Sequence, residues 1–277
     1  MQRKSTITLS LAVLAVAVVA GGGCNKLRAR DQLNKGVEAY SSGQYDQAIE
    51  HFKSAEEYDP TLTNAQLYLA AAYQAQYIPG APSPDNLRNG EEAEKINQAI
   101  LAKDPNNLSA IDNLGSLYYN MAQTPFDEQG MIKARSFHEK HIELSPNDAQ
   151  PYYWVGVIDF WISHHANQEL RDEYNRSGKK PIKDTDPLPK EEAAKFAQDY
   201  GQTVDDGIAA LNKAIELNPN YDDAMGYLSL LDRQKGDMEE TADAREADNK
   251  AADALMDKAK AIKQQREASA ANSGTSS

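Results

Sequence analysis

Four prolines of this chain follow one spacing rule. Each lies twelve residues after a small residue and ten residues before another. The prolines are Pro60, Pro105, Pro146 and Pro219, preceded by Ala48, Ala93, Ala134 and Gly207 and followed by Ala70, Gly115, Gly156 and Ser229. Small side chains let two helices approach closely, and a proline ends a helix. The recurrence therefore predicts an internal repeat of stacked helical hairpins.

The length and the net charge of the chain limit the folds and the partners that it can have. The 277 residues, 40% of them hydrophobic, are enough for one or two ordinary cores or for one elongated array. The formal net charge of -13 opposes binding to nucleic acid, which is itself anionic. The largest cationic cluster, Lys179, Lys180 and Lys183, is followed by two aspartates and is predicted to be a solvated loop.

The first 23 residues have the organisation of a secretory signal peptide. Arg3 and Lys4 supply positive charge, and the apolar run from Ile7 to Ala20 has 14 residues. This run falls within the range of signal peptides and is shorter than the roughly 20 residues that cross a bilayer as a helix. We therefore expect residues 1–23 to be a signal peptide that is cleaved.

Cys24 is the one cysteine of the chain and directly follows three glycines. A single cysteine cannot form an internal disulfide. Its position after the apolar run resembles the lipobox of bacterial lipoproteins. The resemblance implies a diacylglycerol thioether on Cys24, acylation of the new N-terminus with a fatty acid such as palmitate, and a membrane anchor. Asn25 is compatible with the outer membrane and a periplasmic orientation, whereas cleavage after Ala20 would give a soluble secreted protein.

Residues 29–62 contain the stretch YSSGQYDQAIEHF, which resembles a tetratricopeptide repeat (TPR) of standard length. The positions that carry the resemblance are Gly36, Tyr40, Gly43, Tyr45, Ala48, Phe52, Ala55 and Pro60. Gly36 and Ala48 are the expected contact points of the two helices, and Gly43 is expected in the tight turn. The resemblance implies an all-α fold, a right-handed TPR solenoid of helical hairpins with a C-terminal capping helix.

The same repeat pattern, applied to the rest of the chain, predicts further repeats. Repeats are predicted at 29–62, 63–107, 108–148 and 149–221, with a partial repeat at 222–236, so that the array covers 29–236. Outside the array the prediction gives a lipid-anchored linker at 24–28, a charged capping helix at 237–268 and a disordered tail at 269–277.

The spacing between the two helices of a repeat is not constant. The small residue of the second helix follows that of the first helix by 12, 23, 19 and 51 residues in the four repeats. This implies insertions in the turns of the second, third and fourth hairpins. The longest insertion, 161–200, is predicted to be partly helical, with a first helix from Gln150 to about Asn175 and a return helix from about Lys190. We expect this hairpin to project well beyond its neighbours.

Catalytic groups are not evident. The sequence has no phosphate-binding glycine loop, no Gly-x-Ser-x-Gly elbow and no thiol besides Cys24. Two pairs have spacings that metal ligands use, namely His138 with His141 and His165 with Glu169. Neither pair has a predictable third ligand, so we expect solvated or edge-packed histidines and no metal, cofactor or catalytic residue. The alternative is an envelope enzyme or metal-binding protein that uses the segment 161–206, with His164 among its ligands.

In TPR arrays the first helices line a concave groove. The resemblance assigns this groove to Leu33, Val37, Tyr40, Leu67, Gln74, Asn113, Tyr119, Tyr153, Phe160 and Trp161, followed by Gly226, Leu230 and Arg233. Apolar and aromatic residues suit a peptide with hydrophobic anchors. The alternative is that Trp154, Phe160 and Trp161 pack inside the long hairpin.

These expectations combine into one function. The sequence predicts a non-enzymatic protein-interaction scaffold of the bacterial cell envelope, which binds a partner polypeptide in its groove within an assembly or export complex.

Overall fold

The computed structural model describes residues 24–274, with side chains through Ser269. The predicted signal peptide, 1–23, and the last three residues of the predicted tail lie outside the described part. Within that part all regular secondary structure is helical, and the chain divides into two compact units at Pro125 and Phe126. None of the described helices is both long enough and apolar enough to cross a bilayer.

The first unit consists of helices joined by short turns. They are α1 (24–41), α2 (Tyr45–Tyr58), α3 (Thr63–Gln76), α4 (Pro84–Lys103) and α5 (Leu108–Met121). Gly43 has a φ of 72° in the turn after α1, a conformation that glycine adopts without steric cost. A Cβ on Gly36 would lie 2.3 Å from the ring of Phe52. Gly36 is therefore the close-contact point between α1 and α2, as the sequence predicts.

The core of the first unit is built from small and large residues that alternate across the helix contacts. Phe52 is fully buried among them, and burial of such a side chain stabilises the fold by about 1.5–3 kcal/mol. The cluster comprises Ala39, Ala48, Ile49, Phe52, Leu69, Ala72, Tyr73, Ala93 and Leu117. Ser83 accepts a hydrogen bond from the backbone N–H of Asn86 and, together with Pro84, fixes the start of α4.

The second unit also consists of helices, two of which are unusually long. They are α6 (Glu128–Leu144), α7 (Ala149–Arg176), α8 (Lys190–Leu217), α9 (Asp222–Met238) and α10 (Ala242–Gly274). Gly156 lets α7 approach α8, because a Cβ there would lie 2.3 Å from Cγ of Leu211. The long helices α7 and α8 have the bounds that the sequence predicts to within a few residues.

The long hairpin extends past the ends of the helices packed beside it. Tyr200 of α8 donates a hydrogen bond to Glu128 at the start of α6, and Gly201 lies beside Met238 at the end of α9. The first turns of α8, the loop 177–189 and the last turn of α7 lie beyond these contacts.

The ends of the described chain differ from the prediction. Residues 24–28 form the beginning of α1 rather than a linker, and the segment predicted as a disordered tail is helical as far as Gly274. Both segments contain good helix formers, lysine and leucine in the first and alanine in the second. Helix α10 packs antiparallel along α9, with Arg266 paired to Asp222 and Arg233 paired to Asp253.

Candidate functional site

Aromatic side chains of α7 and α9 meet on one surface. The ring of Tyr153 on α7 stacks on Tyr221 with centroids 4.9 Å apart, and it lies 5.9 Å from Tyr227 of α9. Phe160, two turns further along α7, contacts the same Tyr227 at 5.5 Å. Because Tyr227 touches both residues of α7, the rings form one continuous cluster across the two helices.

Two more rings extend the cluster along α7. Trp161 lies 5.3 Å from Phe160, and His164 lies 5.1 Å from it. Phe160 is only 6% exposed, whereas Trp161 is 37% exposed. Burial, followed by the charge of His165, lowers the pKa of His164, so its ring is neutral at neutral pH. A buried phenylalanine therefore supports an exposed indole and an uncharged imidazole. We call these rings, together with Tyr153 and Tyr227, the aromatic surface.

The aromatic surface borders a cleft between α7 and α9. The cleft has a volume of about 570 Å³, and Phe160, His164 and Leu230 contribute its apolar lining. Leu230 is 40% exposed, although it is a large aliphatic side chain. Most of the other lining residues are polar or charged, and Gln168, Asp184 and Arg233 are among them. The cleft therefore combines a small apolar patch with groups that can hydrogen-bond to a ligand.

Arg171 fixes one wall of this cleft. It is 3% exposed and donates hydrogen bonds to the side chains of Asn167 and Asp237, both at 2.7 Å. It also donates to the backbone carbonyls of Lys183 and Asp186, at 3.0 and 2.8 Å. The buried guanidinium thereby ties the insertion loop to α7 and α9. The loop therefore forms a fixed edge of the cleft.

A second cleft lies between α9 and α10 and shares Leu230 with the first. Its volume is about 400 Å³, and Tyr227 and Met256 also line it. Gly226 opens onto this cleft, because no atom lies within 4 Å of the place where its Cβ would stand. Lys263 lies at its rim. The α9–α10 cleft therefore continues the surface of α9 onto the last helix.

Three of the residues that the sequence predicts are thus brought together, namely Tyr153, Phe160 and Trp161. Phe160 is buried, in agreement with the alternative prediction that the aromatic residues of α7 pack inside the long hairpin. Trp161 is exposed. Trp154 is half-buried and stacks on His138, with centroids 5.7 Å apart. Sequence reasoning missed Tyr227. Its helical spacing of three residues from the predicted groove residue Leu230 is the signal that could have revealed it.

The other predicted groove residues lie in the first unit. Leu33, Val37 and Tyr40 pack against its core and are half-buried. Tyr40 lies 5.4 Å from Tyr45, and burial raises its pKa. Asn113 donates a hydrogen bond to the side chain of Asn97 at 3.2 Å. The remaining half-buried positions are Leu67, Gln74 and Tyr119. Their assignment to a groove stays a prediction.

The histidines differ from the prediction in their burial. His138 is 1% exposed rather than solvated, and burial, followed by the nearby His141, lowers its pKa to about 4. His141 is also buried, and its Nε2 lies 3.4 Å from the carboxylate of Asp148. His165 lies 3.6 Å from Glu169. Across residues 24–269, no group of three or more His, Cys, Asp or Glu side chains could hold a metal ion.

The paired helices with glycines at their contact points define the TPR fold, and comparison with known proteins agrees. Residues 36–76 match the family model described as TPR repeat. The chain is similar to the structure of MamA 41-end from Desulfovibrio magneticus RS-1, with 16% identity and a TM-score of 0.52 over 86% of this chain and 96% of that one.

A crystal structure of MamA gives a similar result, with 17% identity and a TM-score of 0.51 over 84% of this chain and 96% of MamA. MamA is a TPR solenoid. At these identities the likeness shows the fold, and the all-α TPR fold class that the sequence predicts is confirmed. No curated protein sequence matches this chain.

Proposed function

We propose that this chain is a non-enzymatic scaffold that binds a partner polypeptide on the aromatic surface of α7 and α9. The observation that carries the proposal is the exposure of Trp161 and Leu230 beside a cleft with a fixed edge. Exposed aromatic side chains on a rigid support contribute most of the binding energy in many protein interfaces. Since Phe160 and Arg171 are held in place before any partner arrives, little ordering is needed on binding.

The partner suited to this surface is a peptide segment with apolar anchors. The α7–α9 cleft accepts one anchor, and the polar groups of Gln168 and Arg233 can hydrogen-bond to its backbone or to polar neighbours. His164 adds a neutral ring rather than a charge. Phe160 and Leu230 therefore favour an apolar side chain at the anchor position.

Photocrosslinking in cells tests this proposal. A photoreactive amino acid at Gln168 should yield one crosslinked partner band in the otherwise native chain. The double variant Trp161→Ala with Leu230→Ser should remove the band. The matched control is Ile132→Ala, which alters an exposed aliphatic residue on α6. A band that survives the double variant, with unchanged helicity, would show that the aromatic surface does not bind the partner.

The proposal extends to an envelope location. It is supported by the signal-peptide pattern of residues 1–23 and by the position of Cys24, which is exposed at the start of the described chain. A lipidated Cys24 would anchor the scaffold to the membrane, since each buried methylene of an acyl chain contributes about 0.8 kcal/mol. The proposed orientation faces the periplasm, with Asn25 compatible with the outer membrane.

The mass of the mature N-terminus tests the anchor. A peptide that begins at Cys24 and carries a diacylglycerol and a third acyl chain would support it. The Cys24→Ser variant should then move from the membrane fraction to the soluble fraction. An unmodified N-terminus at Gly21 would instead support the soluble secreted alternative and end the lipoprotein proposal.

A further inference from the structure

A third cleft opens between α6 and α8, on another side of α7. Its volume is about 620 Å³. Ile142 of α6, Tyr152 and Val155 of α7, and Ala209 of α8 give it an apolar lining. Val155 of α7 and Ala210 of α8 are buried, whereas Ala209 is exposed, so the cleft is deepest between α7 and α8 and opens at Ala209. The proposed function does not use this α6–α8 cleft.

The charged rim of the α6–α8 cleft is acidic. One arginine, Arg135, stands among Glu139, Glu143 and Asp206. Arg135 is 2.6 Å from Glu139 and 3.5 Å from Asp206, and it also lies 2.8 Å from the buried carboxyl group of Asp159. A single guanidinium is thus shared by several carboxyl groups.

Among the described residues that line this cleft, Arg135 is the one cationic side chain. Glu143 has no ion pair among the described residues. Lys213 lies near Tyr152, but it is paired with Glu216 at 2.9 Å. The rim therefore has an excess of negative charge next to an apolar lining.

The corresponding cleft of the first unit has balanced charges. It lies between α2, α3 and α4, and it has a volume of about 410 Å³. Asp46 and Glu92 oppose Lys53 and Arg88 in its lining. The acidic rim is therefore a property of the α6–α8 cleft and does not follow from helical hairpin packing alone.

We infer that the α6–α8 cleft docks a basic amphipathic segment of a partner protein. Its aliphatic side chains would cover Ile142 and Tyr152, and its lysine or arginine side chains would reach Glu143 and Asp206. The long stems of lysine and arginine can lie on apolar surface while their charged ends meet carboxylates. An amphipathic helix laid into an apolar groove is a common mode of peptide recognition.

A defined peptide tests this inference on the full chain. The probe is a fluorescein-labelled helical peptide of about 15 residues, composed of Leu, Ala and Lys in an amphipathic pattern. Fluorescence anisotropy should show binding that weakens at least about tenfold between about 50 and 500 mM NaCl, because salt screens the charge contacts. The same peptide with Glu in place of Lys should not bind.

Two substitutions on α8 locate the contact. Ala209→Arg places a cation and a long side chain in the cleft and should weaken binding of the lysine peptide at least about tenfold. Ala197→Arg makes the same change at another exposed position of α8, outside the cleft, and should leave binding within about twofold. Glu143→Gln, which removes one carboxylate from an exposed side chain, should weaken binding in the same direction.

The outcomes separate this inference from general charge attraction. Equal effects of Ala209→Arg and Ala197→Arg would show that the net charge of -13 attracts the peptide to the whole surface, and the inference would be wrong. Absence of binding at low salt would overturn it equally. The crosslinking result at Gln168 is independent, because that residue lines the α7–α9 cleft.

Discussion

Arg171 of α7 donates a hydrogen bond of 2.7 Å to the carboxylate of Asp237 in the last turn of α9. These residues lie 66 positions apart in the sequence, and both also contact Asn167. Ser163, one turn before Asn167 on α7, likewise donates to the side chain of Gln234. The two helices are therefore held together by polar contacts at one end and by aromatic rings at the other.

Loss of the Arg171 side chain should loosen the edge of the α7–α9 cleft. Arg171→Met keeps much of the volume but removes the guanidinium, which donates to Asp237 and to two loop carbonyls. Asp237 would keep only the hydrogen bond from Asn167, and the second unit should be destabilised by about 3–5 kcal/mol. Urea unfolding measures the loss, and hydrogen exchange should accelerate in the loop 177–189. The matched control is Arg176→Met at the exposed end of α7. Equal effects of the two variants would refute the structural role given to Arg171.

Replacement of glycine by alanine should lower the stability of the protein at a helix contact and raise it on an open helix surface. Gly156→Ala places a Cβ 2.3 Å from Cγ of Leu211 and should destabilise the protein by about 1–3 kcal/mol. Gly226→Ala meets no atom within 4 Å and should stabilise it by about 0.5–1 kcal/mol, because alanine is the better helix former. Thermal unfolding of both variants checks the pair. Stabilisation by Gly156→Ala would contradict the close helix contact.

The sequence was sufficient to predict the helices and the residues at which they contact one another. The spacing of small residues and prolines is local information, and it predicts the contact at Gly156 and the end of α8 near Pro219. The contact of Ser163 with Gln234 joins residues 71 positions apart, and no periodicity marks polar partners of that kind. For the same reason the sequence predicts that Trp161 is a groove residue but does not show that Tyr227 completes the cluster.

Burial of His138 makes the stability of the second unit depend on pH. Its pKa is about 4 in the folded protein and about 6.5 when exposed, so the unfolded state binds more protons between these values. The contribution of this residue to stability is therefore lost as the pH falls from about 6.5 to about 4. Asp159 acts in the opposite direction. Burial raises its pKa to about 7, so its contribution grows as the pH falls from about 7 towards 4.

A substitution isolates the histidine from the carboxyl group. His138→Phe keeps a ring for stacking on Trp154, and neither ring nitrogen of His138 has a hydrogen-bond partner to lose. The free energy of unfolding of this variant, minus that of the native chain, should increase by about 3 kcal/mol when the pH falls from 7 to 4. Urea unfolding at several pH values measures the difference, in which the contribution of Asp159 cancels. A difference that does not change with pH would mean that His138 does not titrate as a buried group.

Gly226 offers a way to block binding without harming the fold. Leucine at this position should fill the α9–α10 cleft, since the Cβ position is open and the backbone is helical. Gly226→Leu should raise the melting temperature, because leucine has a higher helix propensity than glycine, and should also weaken partner crosslinking at Gln168. A partner that occupies the aromatic surface and continues past Leu230 must meet the new side chain. Gly226→Ala, which adds a single methyl group, serves as the matched control and should retain the crosslink. If Gly226→Leu is stabilised and crosslinks like the native chain, the partner ends at α9, and α10 only covers that helix.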